Sequence, residues 1–377
     1  MKNIQLFQPF YRTEEVLSLI RQSMNSGWTG QGPRVLQFEE MFKVYTGLKT
    51  CHMVNSATSG LHLVLEQMKM KYGWTSETEI ITSPITFVST NHAILQAGLK
   101  PVFADIDIKT GCLSREGIAN KVTDNTGAIM FVGLGGNIGC LNEMSFKLPI
   151  ILDAAHMAGT NLGILNDMVE AVVYSFQSVK NLPTADSGAV CWNCEDAIDQ
   201  GAISRQLTWL GIDKSTHERT KTPSLAIGNY KWYYDVKYAG YKYHANDIDA
   251  CMAIISLNYL DHDNDYRSDL AQIYDINLVG EKGLELVKHS KGSSRHLYQV
   301  LVNGDRDELM KKLNNAGIFP GVHYVSNQRY KMYYPNSSFE LCNNAEIWSD
   351  RVISLPLGMH VSIEDVEYIC NTIKKAL

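Results

Sequence analysis

Lys180 stands five residues after Ser175 in Tyr174-Ser-Phe-Gln-Ser-Val-Lys180-Asn-Leu-Pro-Thr, and before it the apolar run Pro149-Ile-Ile-Leu ends in Asp153-Ala-Ala-His156. An amine, a carboxylate closing a buried strand and a nearby hydroxyl meet the demands of pyridoxal phosphate. That cofactor needs a lysine to hold its aldehyde covalently, an anion to keep its ring nitrogen protonated, and donors for its phosphate. Most lysines are solvated surface charges. Lys180, however, follows the strand-like Ala171-Val-Val-Tyr174 and precedes Asn-Leu-Pro, a rigid non-helical segment. Beside a desolvated site its amine gives up its proton more readily and can attack an aldehyde.

The remaining groups each have a plainer reading next to the chemical one. Asp153 would find a cationic partner in a protonated pyridine, or it would simply cap the following helix. His156 could reach the phenolic oxygen of the cofactor, although a lone histidine after a strand is more often structural. Asn55-Ser-Ala57-Thr58-Ser-Gly60 lies between a strand and a helix, where free N–H groups favour an anion; taken alone it is an ordinary Ser/Thr cap. Ser175 would add a hydroxyl to the same phosphate. Phe87, after Pro84-Ile-Thr86, would lay its ring on the cofactor or belong to the core.

Two motifs are decoys. Cys191-Trp-Asn-Cys194 has the spacing of a metal or redox pair, but no second CxxC or HxxxH accompanies it, so no metal site is expected. Gly133-Leu-Gly135-Gly136-Asn-Ile138-Gly139 follows a strand like a dinucleotide fingerprint. G-x-G-x-x-G would need glycine where Ile138 stands, and no acidic residue closes a second strand at the required distance.

The elements that must position these groups alternate. Strand candidates are Cys51 to Val54, Glu79 to Pro84, Pro101 to Asp105, Ala128 to Val132 and Pro149 to Asp153, with helices from about Ser59 and over Phe87 to Gln96. This pattern predicts an α/β fold with a mostly parallel sheet covered on both faces and its ligand site at the carboxyl ends of the strands. A long helix over Ile248 to Tyr259 is expected to lead out of a large domain, residues 1–248. A smaller C-terminal α/β domain, 249–377, would use His296 to Val302 as strand and Asp307 to Ala316 and Glu364 to Ala376 as helices. The chain has 377 residues, 45% of them hydrophobic, enough for a substantial core. Its 34 Lys+Arg and 40 Asp+Glu, a net charge of -6, contain no basic run that would recruit nucleic acid or a membrane. Eight scattered cysteines fit no disulfide scaffold, and the short apolar stretch near Met1 fits no signal peptide, so a cytoplasmic protein is expected.

With these residues in place, the chain resembles the DegT/DnrJ/EryC1 family of sugar-nucleotide aminotransferases, of the aspartate aminotransferase fold (fold type I), along nearly its full length. The resemblance is carried by Ser26-Gly-Trp-Thr-Gly-Gln-Gly-Pro33, Asn55-Ser-Ala-Thr-Ser-Gly-Leu-His62, Pro84-Ile-Thr-Phe87, Asp153-Ala-Ala-His156, Ser175-Phe-Gln-Ser-Val-Lys180-Asn and Ser354-Leu-Pro-Leu357. It implies a large domain with a seven-stranded-type sheet. It further implies that Lys180 binds pyridoxal phosphate covalently, Asp153 meets the ring nitrogen, His156 lies near the ring oxygen and Phe87 stacks on the ring. Ala57, Thr58 and Ser175 would hold the phosphate. The family's sites are shared in a homodimer, through a segment that Gly240-Tyr-Lys242-Tyr-His244-Ala-Asn-Asp247 resembles; where relatives usually carry Asn, this chain has Lys242 and His244. Gly133 stands where relatives often have His. Gly321-Val-His323-Tyr324 and Arg329 resemble a segment near the sugar.

The expected reaction is a transamination: L-glutamate aminates the cofactor to pyridoxamine phosphate, which then aminates a keto-sugar nucleotide. Trp28-Thr-Gly-Gln-Gly-Pro33 looks more like relatives acting on C4 of a 4-keto-6-deoxy sugar than on C3. Related dehydratases carry His in place of the lysine, so Lys180 speaks for transamination over dehydration. A non-catalytic cofactor-binding relative is the remaining alternative.

Overall fold

The computed structural model describes residues 2–377 except 164, 166, 167, 215, 216, 218, 220–233 and 334–340. Its centre is a seven-stranded sheet made of β2 (His52–Val54), β3 (Glu79–Thr82), β4 (Lys100–Phe103), β5 (Thr126–Val132), β6 (Ile150–Asp153), β7 (Val169–Ser175) and β8 (Gly188–Trp192). The order across the sheet is β2-β8-β7-β6-β5-β3-β4. Neighbours from β7 to β4 run parallel, and β8 pairs antiparallel with both β7 and β2. The predicted mostly parallel sheet is therefore present, with β8 as its single reversed strand.

The strands read as continuous apolar runs because both faces are covered. Successive side chains point to opposite faces, and the core divides accordingly: Ile129, Phe131, Ile150, Leu152, Val172 and Tyr174 join one apolar cluster, Ala128, Met130, Ile151, Ala171 and Val173 the other. Helix Ala57–Tyr72 lies on the second face. It comes close there because Gly60 has no side chain; a Cβ at that position would stand 2.9 Å from Val173 and 3.0 Å from Val190.

Helices Thr13–Ser26 and Pro33–Thr46 had no counterpart in the sequence reading. The second contributes Val35, Phe38 and Phe42 to the first cluster, where the two phenylalanines pack against Phe176. Helix Asp247–Asn258 matches the one expected over Ile248 to Tyr259, and Leu260–Leu278 follows it directly. Its residues Ala250, Ala253, Ile254 and Leu257 belong to the sheet's first cluster, whereas Leu270, Ala271, Tyr274 and Leu278 of the next helix belong to a third.

That third cluster lies under an antiparallel sheet of β9 (Leu284–Leu286), β10 (Tyr298–Val302) and β12 (Val352–Leu355), in the order β12-β10-β9. Ile4 of β1 (Ile4–Gln5) joins it by pairing in parallel with β11 (Ile318–Phe319), so the N-terminal strand docks on the C-terminal unit. Among the described residues no helix is long and apolar enough to cross a membrane.

Candidate active site

Six strands of the central sheet share a direction, and the predicted groups leave from the ends of five of them. Asp153 is the last residue of β6, Ser175 the last of β7, Gly133 follows β5, Pro84 to Phe87 follow β3, and Asn55-Ser56 follow β2. They enclose a cavity of about 420 Å³ whose wall includes Ala57, Thr58, Phe87, Asp153, His156, Ser175, Lys180, His323 and Tyr324. Phe7, Thr86, Thr90, Gln177, Asp186 and His296 complete much of the remainder.

Lys180 follows a turn in which its own N–H donates to the Gln177 carbonyl at 2.8 Å. Among the described residues its amine has no hydrogen-bond or ion-pair partner. Burial pulls the amine down to about 8, against the opposing charge of Asp153. Asp153 is 3% exposed and takes part in no described ion pair. Thr90 Oγ1 donates to its Oδ2 at 2.7 Å and the Ala155 N–H to Oδ1 at 3.1 Å. Burial nevertheless raises this carboxyl above the usual range; Thr90, Ala155 and Lys180 hold it back only in part. A buried anion served by two neutral donors and a nearby amine is a fitting partner for a protonated ring nitrogen.

One end of the cavity is a helix start. Ser56 caps helix Ala57–Tyr72 by accepting from the Ser59 N–H at 3.1 Å, which leaves the N–H groups of Ala57 and Thr58 without intrahelical acceptors. Gly188 lets β8 approach this turn: a Cβ there would stand 2.8 Å from the Ala57 nitrogen. Ser56 does the capping, and the N–H groups with room for an anion belong to the two residues that follow it. Ser175, 7% exposed, borders it from β7.

The glycine-rich segment dismissed as a fingerprint serves His156. The Gly135 N–H donates to His156 Nδ1 at 3.2 Å, and burial holds this imidazole well below its ordinary pKa, with Lys180 and His323 adding to the effect. A neutral ring that accepts at Nδ1 carries its proton on Nε2, which lies 3.2 Å from Tyr324 Oη. His156 therefore presents an N–H on its Tyr324 side. His296 packs 4.4 Å from it and gives its Nδ1 proton to Asn181 Oδ1 at 2.8 Å. His323, pulled down to about 4 by burial and by Lys180, completes a group of three uncharged histidines.

Phe87 is 60% exposed and stands at the mouth, its ring 6.3 Å from that of Tyr324. Gly133 lies on the wall; a Cβ there would stand 1.9 Å from Met157 Sδ, so the space a side chain would need is already filled by Met157. Three predicted residues do not line the cavity. Lys242 Nζ sits 3.5 Å from the centre of the Trp209 ring, and His244 meets the same ring edge-on at 4.4 Å. Arg329 gives its guanidinium to Glu346 and Asp350, both at 2.7 Å. The cysteines of Cys191-Trp-Asn-Cys194 are free, and among the described residues no group of His, Cys, Asp and Glu could hold a metal ion.

Sequence reasoning passed over Thr86, Thr90, Phe7 and His296. The two threonines had a signal: Thr86 immediately precedes the helix predicted over Phe87 to Gln96, and Thr90 lies four residues on in its first turn. Phe7 and His296 had none, since only the tertiary fold brings them to the strand ends.

The chain can now be set beside known proteins. Residues 11–374 match the model of the DegT/DnrJ/EryC1/StrS aminotransferase family. The protein MJ1066 of Methanocaldococcus jannaschii is 31% identical over 389 residues, covering 98% of this chain and 96% of that protein. SpsC of Bacillus subtilis, a spore coat polysaccharide biosynthesis protein, is 29% identical over 96% of this chain and 94% of its own length. Among solved structures, Spr1654 of Streptococcus pneumoniae in its PMP form superposes with a TM-score of 0.87 at 26% identity over 98% of both chains. The sugar aminotransferase CalS13 of Micromonospora echinospora superposes with 0.86 at 26% identity over 99% of both. With its parallel strand ends, its buried Lys180 and Asp153 and a helix start open to an anion, the chain belongs to the DegT/DnrJ/EryC1/StrS family of sugar aminotransferases, and pyridoxal phosphate is the cofactor its cavity fits.

Proposed function

We propose that this protein moves an amino group from L-glutamate to a keto-sugar nucleotide, a 4-keto-6-deoxyhexose in particular, through Lys180 and Asp153. The observation that carries this reading is the convergence on one cavity of a buried lysine that gives up its proton more readily than an ordinary one, a buried carboxylate without an ion pair among the described residues, and an anion-ready helix start. Trp28-Thr-Gly-Gln-Gly-Pro33 supports the 4-keto sugar.

Pyridoxal phosphate, when bound, supplies an electron sink that makes the alpha proton of an amino acid removable. The protein does the rest. Lys180 holds the cofactor until the donor replaces it. With the cofactor bound, its freed amine would be the base that takes the proton from the donor's alpha carbon. The same amine works in reverse on the sugar. Asp153 would keep the ring nitrogen protonated, and the N–H groups of Ala57 and Thr58, with Ser175, would hold the phosphate. His156 would hold the ring oxygen through its Nε2 proton, and Phe87 would cover the ring face. His323 and Tyr324 border the space left for the sugar.

The protein acts as a homodimer in this reading, Lys242 and His244 of a second copy approaching the phosphate. Neither side chain lines its own subunit's cavity, which supports that assignment.

The test is the visible spectrum of the purified protein before and after L-glutamate, followed by a panel of keto-sugar nucleotides. A bound-cofactor band that disappears with glutamate and returns with one 4-keto sugar is expected. Lys180→Ala should lose steady-state transamination entirely; turnover retained in that variant would sink the assignment.

A further inference from the structure

We propose that Thr90 is a positioning residue for Asp153, itself oriented by Thr86, so that two hydroxyl hydrogen bonds of one polarity aim the carboxylate while Asn327, from the C-terminal part of the molecule, anchors the Thr86 backbone. An ionised carboxylate only accepts, so Thr90 Oγ1, 2.7 Å from Asp153 Oδ2, must donate to it. Threonine has a single hydroxyl proton. The contact of 2.8 Å between Thr86 Oγ1 and Thr90 Oγ1 therefore has one polarity, with Thr86 the donor. Thr86 is held in turn by Asn327, whose Nδ2 donates to the Thr86 carbonyl at 2.7 Å and to the Pro84 carbonyl at 3.0 Å. The Asn327 backbone N–H also donates to the Pro84 carbonyl, at 2.8 Å.

All four side chains are buried: Thr86 is 3% exposed, Thr90 1%, Asp153 3% and Asn327 0%. The second oxygen, Oδ1, is occupied by the Ala155 N–H at 3.1 Å, so the carboxylate cannot rotate without breaking both contacts. The titratable groups facing it are Lys180 and Tyr324. Neutral donors that favour the ionised form keep the negative charge on Asp153, and so the proton on its partner. The importance of this for transamination rests on Asp153 meeting the ring nitrogen, whereas the donor chain itself does not depend on that reading.

The experiment follows the Asp153 carboxyl carbon by NMR in protein labelled with 13C-aspartate and freed of cofactor, its signal assigned by loss in Asp153→Asn. Thr90→Val, similar in volume but without the hydroxyl, is expected to raise the pH at which Asp153 titrates by about one pH unit, the loss of one hydrogen bond to a charged group. Thr90→Ser should restore the wild-type titration, and Thr86→Val should raise it by less. Thr90→Ala replaces Thr90→Val if the latter does not fold. A folded variant without the hydroxyl whose Asp153 titrates where the wild type does would overturn the proposal. A raised titration together with a spectrum indifferent to L-glutamate would support the donor chain while striking the cofactor reading, so the two can fail separately.

Discussion

A buried lysine is a liability that becomes useful only where its proton has to leave. Burial brings the Lys180 amine to about 8, and the Asp153 carboxylate opposes that shift, so near neutrality the amine is within reach of its reactive form. The rate at which cofactor-free protein captures pyridoxal phosphate covalently should therefore rise with pH through about 8 and then level off. Rapid mixing monitored by absorbance checks this. A rise that continues to the pH of an ordinary lysine would mean that the amine is solvated. At this scale much was legible: Lys180, Asp153 and Ser175 could be named because each sits at a fixed offset from an apolar run. Thr90 could not, because its meaning depends on which oxygen its hydroxyl meets.

Elements are fastened to one another by a few charged side chains inside the core, and Glu39 is the clearest case. It sits in helix Pro33–Thr46, 5% exposed, and accepts from the Met53 N–H of β2 at 2.9 Å and from Arg205 of helix Ala197–Thr208 at 2.6 Å. Burial alone would raise its carboxyl; Arg205 and His52 more than reverse this and bring it to about 2. A carboxyl whose folded pKa is depressed stabilises the fold above its unfolded value and loses that contribution as pH falls through the folded one. Glu39 should thus contribute on the order of 3 kcal/mol above pH ~4.5, lost between there and about 2. Glu39→Gln should flatten the acid limb of stability in that window, measured by urea unfolding at stepped pH. An unchanged acid limb would mean that the cluster adds nothing net. The sequence reading missed this helix because its apolar positions are interleaved with Arg34, Gln37, Glu40 and Lys43.

Across the whole molecule, the C-terminal part is tied to the large sheet by backbone as well as by apolar contact. Asp105, just beyond β4, accepts the N–H groups of Asn344 and Ala345 at 3.0 and 3.1 Å and so caps helix Asn343–Arg351, whose own N-cap residue Cys342 makes no side-chain cap. A carboxylate at a helix start satisfies orphan donors and the helix dipole together. Asp105→Ala should cost about 1–2 kcal/mol, with Asn recovering part of it. A thermal unfolding midpoint equal to wild type would show that the cap is dispensable. The same helix brings Trp348 into the first apolar cluster, beside Gly111, where a Cβ would stand 2.6 Å from the indole. Between Leu260 and Leu270 a single helix passes from the core of the large sheet to that of the smaller one. A hydrophobic pattern marks a helix without saying which core each turn enters.

The sequence by itself determined the alternation of strands and helices, the parallel sheet and the presence of Lys180, Asp153, His156 and Phe87 at strand ends. Those properties are local, arising from side-chain period, turn residues and short spacings. The tertiary structure decided what contact alone can decide. It set the His156 proton on Nε2 through the Gly135 N–H, and turned a failed nucleotide fingerprint into the support of that histidine. It filled the space beside Gly133 with Met157 and kept Arg329 on Glu346 and Asp350, outside the cavity. It joined Asn327 to Asp153 through two threonines, although 174 residues separate them in the chain. Hydrogen-bond polarity and excluded volume depend on which groups meet, and residues far apart in the chain meet only after folding.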